Sequence, residues 1–255
     1  HIGVVVGAAS DVAKETADLV LLDNNFRTIV AAVEEGRAIF ENIRKVVAYT
    51  LSNSFAEVLA IFGALMLGWP APLLVAQILW IHLICDGPSD IVLGFEPKEP
   101  GIMEEKPRSL HEPILDPLGL SLIGVISGSS AFAALTVFGY DWLAFGEVAL
   151  GRTCAYAIFA VNPMVYIFAY RSLRCPLWRS APIWQNRPLI LAVAVGLAMA
   201  VGGVLVPGLR GLLGNVPLYP SEWLIVAGVA LGTVGVVEVG KYVANKQARG
   251  HKPPR

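Results

Sequence analysis

Charged residues are scarce in this sequence of 255 residues. Asp, Glu, Lys and Arg make up 15% of it and hydrophobic residues 55%, whereas soluble domains average about 25% charged and about 45–50% apolar residues. This composition excludes a water-soluble globule and a disordered tail. A surplus of basic charge is also missing, because 19 Lys and Arg stand against 20 Asp and Glu, so a nucleic-acid-binding protein is excluded as well.

Cysteine is rare, with three residues at Cys85, Cys154 and Cys175. They are too few and too scattered for a disulfide framework or a cysteine metal cage. The first residues, HIGVVVG, have no positively charged segment ahead of an apolar one, so we do not expect this segment to be a secretory signal peptide. The remaining class is a polytopic membrane protein.

Apolar stretches of about 20 residues predict six membrane-spanning helices. They cover about 46–67, 73–94, 118–139, 152–170, 188–207 and 222–243. Lys and Arg concentrate in the 95–117 and 171–187 connections and in the tail from Lys241. With six spans these segments share one face with the N-terminal residues, so the positive-inside rule predicts that both termini are cytoplasmic. The sequence shows no repeat symmetry that would indicate a secondary transporter.

Residues 1–30 have a soluble character, and we expect them to be the C-terminal remnant of an α/β domain that precedes a membrane domain over 31–255. A strand over His1–Gly7 is followed by a helix that Ser10 can cap and by a short strand over Leu19–Leu22. Two strands and a helix cannot bury a core, so we expect the rest of that domain upstream. The predicted fold class is therefore mainly α, with six membrane helices after a short α/β remnant.

The first apolar stretch contains an acid where an ionisable residue is costly and marks function by default. Glu57 lies about midway along it. Ser54 and Asn53 precede Glu57 by three and four residues, so both can share its helical face.

The second apolar stretch is also polar at its centre. His82, Asp86 and Asp90 recur every four residues, with Cys85 beside them. Pro88 lacks an N–H and follows Gly87, so we expect the helix to break there and to free carbonyls around residue 84. In the fourth stretch, Asn162 precedes a proline that can kink the helix towards this site.

Carboxylates, hydroxyls, an amide and freed carbonyls suit a hard cation stripped of water. Other interpretations stay open for these residues. The acids and His82 can form a proton relay or a structural pair, and His82 and Cys85 can be softer ligands for a transition metal.

Several motifs now resemble one family. The run from Ser10 through Glu15, Asp23 and Glu34 to Arg37 is similar to the end of the phosphorylation domain of P-type cation-transporting ATPases, and the similarity continues through Arg44. The segment Gln77-Ile-Leu-Trp-Ile-His-Leu-Ile-Cys-Asp-Gly87 resembles the sixth membrane helix of the calcium-pump branch, which reads Q-x-L-W-x-N-L-x-T-D-G. The segments 93–97, 102–103 and 106–109 fit the loop that follows. Beyond residue 117 the resemblance rests on topology and on Arg171-Ser172.

The resemblance implies the end of a haloacid-dehalogenase-like phosphorylation domain followed by membrane helices five to ten. In the family, ATP with Mg²⁺ phosphorylates the aspartate of a D-K-T-G motif and thereby drives cation transport. D-K-T-G and T-G-D-x-x-N-D do not occur in these 255 residues. The resemblance therefore implies that no catalytic or ATP-binding residue lies here, and that the partners are the upstream domains of the same pump, the transported cation and membrane lipid.

The family's ion ligands carry over position by position. Its fifth-helix glutamate and sixth-helix aspartate fall on Glu57 and Asp86. Its fifth-helix asparagine falls on Ser54, with Asn53 one residue away, and its sixth-helix asparagine and threonine fall on His82 and Cys85. The eighth-helix polar position falls near Asn162, and Asp90 is an acid where the family has a small apolar residue. The resemblance thus implies a metal set of Glu57, Asp86, Ser54, Asn53, His82, Cys85, Asp90 and Asn162.

We therefore predict the C-terminal transport half of an ATP-driven cation pump, with Ca²⁺ or another divalent cation as the transported ion. The alternatives are a proton or transition-metal pump and a stand-alone or degenerate membrane module without ATPase activity. Compact loops and the lack of retention signals predict a prokaryotic plasma membrane.

Overall fold

The computed structural model describes residues 2–23, 25, 27–99, 101–104, 107, 113–173, 177 and 182–250, with side chains up to residue 242. The chain folds into two units, residues 1–41 with 98–110 and residues 42–97 with 111–255. Part of the basic sequence that predicts the orientation lies outside the described residues, as does most of the 106–109 motif. These residues are Lys106, Arg108, Ser109, Arg174, Arg179, Lys252 and Arg255.

The first unit begins with the predicted strand–helix–strand segment. Strand β1 (Val4–Val6) is joined by helix α1 (Asp11–Thr16) to β2 (Leu19–Leu21). The strands are parallel, with Val5 opposite Val20. The Ser10 side chain accepts a hydrogen bond from the Ala13 N–H, so it caps α1 as predicted.

The first unit also contains the start of helix α2 (Arg27–Met66) and the residues around 98–104. Arg37 Nη1 donates to the Ile102 carbonyl at 2.7 Å. Lys98 Nζ lies 2.6 Å from Glu35 Oε2 and 3.8 Å from Glu34 Oε1. The hydrogen bond to Glu35 raises the pKa of Lys98 because it favours the charged ammonium.

The second unit is helical. After α2 come α3 (Val75–Trp80), a π-helix (Ile81–Asp86) and α4 (Gly87–Leu93). The later helices are α5 (Pro117–Phe145), α6 (Val148–Tyr170), α7 (Arg187–Leu205), α8 (Pro207–Leu213) and α9 (Pro220–Gly250), with a short 3₁₀ turn at Ile183–Gln185.

Helix α6 lies at the centre of this unit. In the most apolar 18-residue segment of α6, 83% is buried inside the structure. The corresponding share in the other long apolar helices is 28–39%. It packs against α5, α7, α9 and the π-helix. Small residues such as Ala155, Ala157 and Ala160 are fully enclosed and let neighbouring helices approach closely.

Within the described residues, five helices are long and apolar enough to cross a membrane, and they support a helical membrane domain. They are α2, α5, α6, α7 and α9 up to Tyr242. The predicted span at 73–94 is divided among α3, the π-helix and α4, none of which reaches 18 residues by itself. The six-span count therefore stays a prediction.

Candidate functional site

The polar residues predicted on two helices come together beside α6. Asn53 and Glu57 are buried on α2, and Asp86 is buried at the end of the π-helix. The inward position of Asn53 and Glu57 follows from their spacing of four residues, which places both on one side of α2.

Asp86 is the last acceptor of a short hydrogen-bond chain that runs through Asn53. The Tyr166 hydroxyl of α6 donates to Asn53 Oδ1, and Asn53 Nδ2 donates to Asp86 Oδ2 at 3.2 Å. The second oxygen of the carboxylate, Oδ1, has no hydrogen-bond partner among the described residues. Asp86 is 1% exposed, so its Oδ1 is a buried acceptor without a hydrogen bond. Such an acceptor lowers the stability of the fold unless a ligand binds to it.

Glu57 pairs with His82, which occupies a position where the family's sixth membrane helix has an asparagine. His82 Nε2 lies 3.0 Å from Glu57 Oε2. Glu57 is buried, whereas His82 is half-buried. An imidazole beside a carboxylate can hold a proton and release it when a cation takes the carboxylate.

Asn162 contributes a second unsatisfied acceptor. Its Nδ2 donates to Ser130 Oγ of α5 at 2.9 Å, while its Oδ1 has no partner in the part of the chain that the structure describes. A small pocket lies between α2, α5 and α6 and adjoins Asn162. Its lining includes Asn53, Glu57, Ser130, Asn162, Pro163 and Tyr166.

The three remaining predicted residues lie at the edge of this cluster or outside it. Asp90 is partly buried and accepts one long hydrogen bond from Thr50, 3.5 Å between Oγ1 and Oδ2. Ser54 is partly buried, and the neighbouring Asn53 is the residue that reaches Asp86. Cys85 is fully buried in an apolar cluster.

Sequence reasoning missed Tyr166, Ser130 and Thr50. Tyr166 follows Asn162 by four residues, so the helical spacing alone could have placed it on the same face. Nothing in the sequence distinguishes Ser130 from the other small residues of α5 or pairs Thr50 with Asp90.

The interruption of the second apolar stretch differs from the prediction. The break was expected at Gly87–Pro88, but the irregular segment is the π-helix over Ile81–Asp86, and an α-helix restarts at Gly87. Pro88 occupies the first turn of α4, where a missing N–H is tolerated. The backbone therefore stays helical and widens by a π-turn, a geometry that is frequent at functional sites.

Helix α7 approaches this π-helix at a glycine. A Cβ at Gly196 would lie 2.7 Å from the Cys85 carbonyl oxygen and 2.6 Å from Met164 Sδ. The glycine thus lets α7 contact the backbone that carries Asp86.

We expect Gly196→Ala to lower the free energy of unfolding by about 1–3 kcal/mol, because a methyl group overpacks this contact. Gly202 on the same helix is the matched control, since a Cβ there would meet nothing within 4 Å. Gly202→Ala should be neutral or stabilise by up to about 1 kcal/mol. Thermal unfolding of both variants in mild detergent measures the difference, and equal midpoints would contradict the close approach.

A sequence model of the family described as "Cation transporting ATPase, C-terminus" matches residues 70–243. The chain belongs to this family. The resemblance predicted from the motifs is thereby confirmed.

Several proteins with similar sequences are named as cation-transporting or calcium-transporting ATPases. The "Calcium-transporting ATPase" of Bacillus subtilis (strain 168) is 33% identical over 233 residues, which are 90% of this chain and 26% of that protein. The "Probable cation-transporting ATPase F" of Mycobacterium tuberculosis (strain ATCC 25618 / H37Rv) is 37% identical over 180 residues, 70% of this chain and 20% of the relative. The "Endoplasmic reticulum calcium ATPase srcA" of Aspergillus fumigatus is 41% identical over 141 residues, 55% of this chain and 14% of the relative. The chain thus spans about a quarter or less of the length of these relatives.

Proposed function

We propose that this chain is the transport part of an ATP-driven cation pump and that the cluster around Asp86 binds the transported cation. The observation that carries the proposal is the Asp86 carboxylate, buried inside a helical membrane domain with Oδ1 unsatisfied in the described part of the chain. A carboxylate in such a place is expensive unless it is paired, and a bound cation would pair it.

The surrounding groups favour a hard cation. Asn162 Oδ1 is a further acceptor without a partner in the described structure. Glu57 lines the same small pocket as Asn162 and Asn53, and Asn53 donates to Asp86. Carboxylate and amide oxygens are the ligands of Ca²⁺. Two of the relatives are named for calcium, so we propose Ca²⁺ as the substrate.

A transition metal fits less well. Cys85 is buried in an apolar cluster, which does not favour a soft metal site built from His82 and Cys85. A proton pump remains the second candidate, because the 3.0 Å Glu57–His82 pair can exchange a proton.

Family membership supports a proposal for the rest of the pump. We propose that other domains of the complete polypeptide bind ATP and Mg²⁺, that residues 1–30 end its phosphorylation domain, and that the chain has six spans with both termini in the cytoplasm of a prokaryote. The site residues proposed as ligands are Asp86, Glu57, Asn53 and Asn162, with Ser54, His82, Cys85 and Asp90 beside them.

ATP hydrolysis by the complete polypeptide in lipid vesicles tests the proposal. At fixed Mg²⁺–ATP, we expect Ca²⁺ to stimulate hydrolysis, and Glu57→Gln to raise the Ca²⁺ concentration for half-stimulation at least tenfold, because a carboxylate ligand becomes neutral. Glu104→Gln is the matched control, since Glu104 is exposed, and it should behave like the wild type.

Other results of the hydrolysis experiment would change the proposed ion or overturn the proposed site. Stimulation by Zn²⁺ or Mn²⁺ alone would replace Ca²⁺ with a transition metal, and stimulation by lower pH without added cation would favour a proton pump. If no cation and no pH stimulates hydrolysis, or if Glu57→Gln matches the wild type, the cluster is not the transport site.

A further inference from the structure

A second, larger cavity lies at one end of the second unit, away from the residues of the Asp86 cluster. Its volume is about 1040 Å³, the size of a site for a small organic molecule. The end of α5, the start of α6, the start of α9 and the residues before α9 line it. The lining residues used below are Tyr140, Asp141, Phe145, Glu147, Tyr219 and Glu222.

The polar part of this cavity is acidic. Asp141, Glu147 and Glu222 contribute carboxylates, and none of the described lining residues is basic. The cavity therefore favours a positively charged ligand.

Two of the carboxylates each have one oxygen without a hydrogen-bond partner in the described part of the chain. Asp141 is 7% exposed, and within the described ranges its Oδ2 has no hydrogen-bond partner. Glu222 is partly buried, and its Oε2 is likewise without a partner there. The Asp141 carbonyl accepts hydrogen bonds from the Gly146 and Glu147 N–H groups at the end of α5, which holds this residue in place. A buried acceptor without a partner indicates a missing donor or cation.

The apolar part of the lining contains three aromatic rings among aliphatic residues. Tyr140 and Phe145 stand edge to face with ring centroids 5.4 Å apart, and Tyr219 lines the same cavity. Aromatic faces attract ammonium groups, and quaternary ammonium ligands are commonly recognised by such rings together with carboxylates.

We propose that this cavity binds an ammonium group carried on an apolar body, with Asp141 and Glu222 pairing the charge and the aromatic rings covering the apolar part. The aromatic rings in the lining favour an organic ammonium group over a bare metal ion. Free organic amines and the ammonium headgroup of phosphatidylethanolamine share this chemistry. The proposal concerns a separate set of residues and does not depend on the cation site at Asp86.

Binding of phenyltrimethylammonium to the complete polypeptide tests the proposal. The protein is placed in nanodiscs of phosphatidylglycerol, which has no ammonium headgroup, and binding is measured by isothermal titration calorimetry. We expect saturable binding of phenyltrimethylammonium and none of tert-butylbenzene, its uncharged isostere. Asp141→Asn and Glu222→Gln should each weaken binding at least tenfold, and the exposed Glu104→Gln control should leave it unchanged.

Repeating the titration in a second lipid distinguishes a free organic amine from the phosphatidylethanolamine headgroup as the ligand. In phosphatidylethanolamine nanodiscs, weaker apparent binding would show that the headgroup occupies the cavity, whereas unchanged binding would indicate a free amine. Glu222→Gln, at a partly exposed position, keeps the test valid if Asp141→Asn fails to fold. Lack of saturable binding, equal binding of tert-butylbenzene, or wild-type affinity in both folded variants would overturn the proposal.

Discussion

Asp86→Asn is expected to raise the cation concentration for half-maximal ATP hydrolysis by roughly 100- to 1,000-fold. The substitution keeps the shape of the side chain and removes its charge. A unit charge pair about 4 Å apart is worth about 4 kcal/mol at an effective dielectric of 20, and each 1.4 kcal/mol is a factor of ten in affinity. Asp86 is 1% exposed, so solvent screens this interaction little.

The same variant separates a transport ligand from a structural acid. If Asp86 serves mainly to hold Asn53, an asparagine can keep that contact and the cation dependence should stay near that of the wild type. Asp11→Asn is the matched control, because the Asp11 side chain is 99% exposed. Wild-type cation dependence in a folded Asp86→Asn protein would remove Asp86 from the proposed site.

The fold was predictable where local patterns determine it. The β1–α1–β2 segment follows from two apolar runs and a Ser10 cap, and the long apolar helices follow from composition. The π-helix was not predictable in this way, because a π-turn has no strong sequence signature. Helix α7 also passes close to the Cys85 carbonyl at Gly196, and such a tertiary contact has no signature in the local sequence.

The candidate site was predictable in its acids and less so in their partners. Glu57 and Asp86 are conspicuous because an ionisable residue in an apolar run is rare. Which side chain of α2 reaches Asp86 depends on the rotation of α2 against the π-helix, and the structure gives Asn53 rather than the neighbouring Ser54. The spacing of four residues places Tyr166 on the face of α6 that carries Asn162, but its hydrogen bond to Asn53 of α2 is a tertiary contact that the sequence does not indicate.

Glu96→Gln is expected to destabilise the membrane unit by about 3–5 kcal/mol, the usual cost of breaking a buried ion pair. Glu96 lies just after α4, in the segment at 93–97 that carries part of the family resemblance, and it is buried. Its Oε1 accepts from Arg171 Nε at 2.5 Å and its Oε2 from Asn186 Nδ2 at 2.7 Å. The residue thereby connects the segment after α4 with the end of α6 and the start of α7.

The expected size of this effect follows from the burial of both charges. Arg171 is 3% exposed. Glu96→Gln removes the negative charge beside the buried Arg171 guanidinium, and the low dielectric of the interior makes this loss costly. Asn186 also caps α7, where its Oδ1 accepts from the Leu189 N–H at 3.0 Å, so loss of the Glu96 charge also weakens the contact that orients this cap.

A double-mutant cycle in mild detergent measures this coupling. The free energies of unfolding of Glu96→Gln, Arg171→Gln and the double variant are compared, with the exposed Glu104→Gln as control. Because the double variant removes both charges, it should cost less than the sum of the single variants by at least about 1 kcal/mol. Strict additivity would show that the pair contributes no mutual stabilisation. The segment at 93–97 would then need another physical reason for joining these helices.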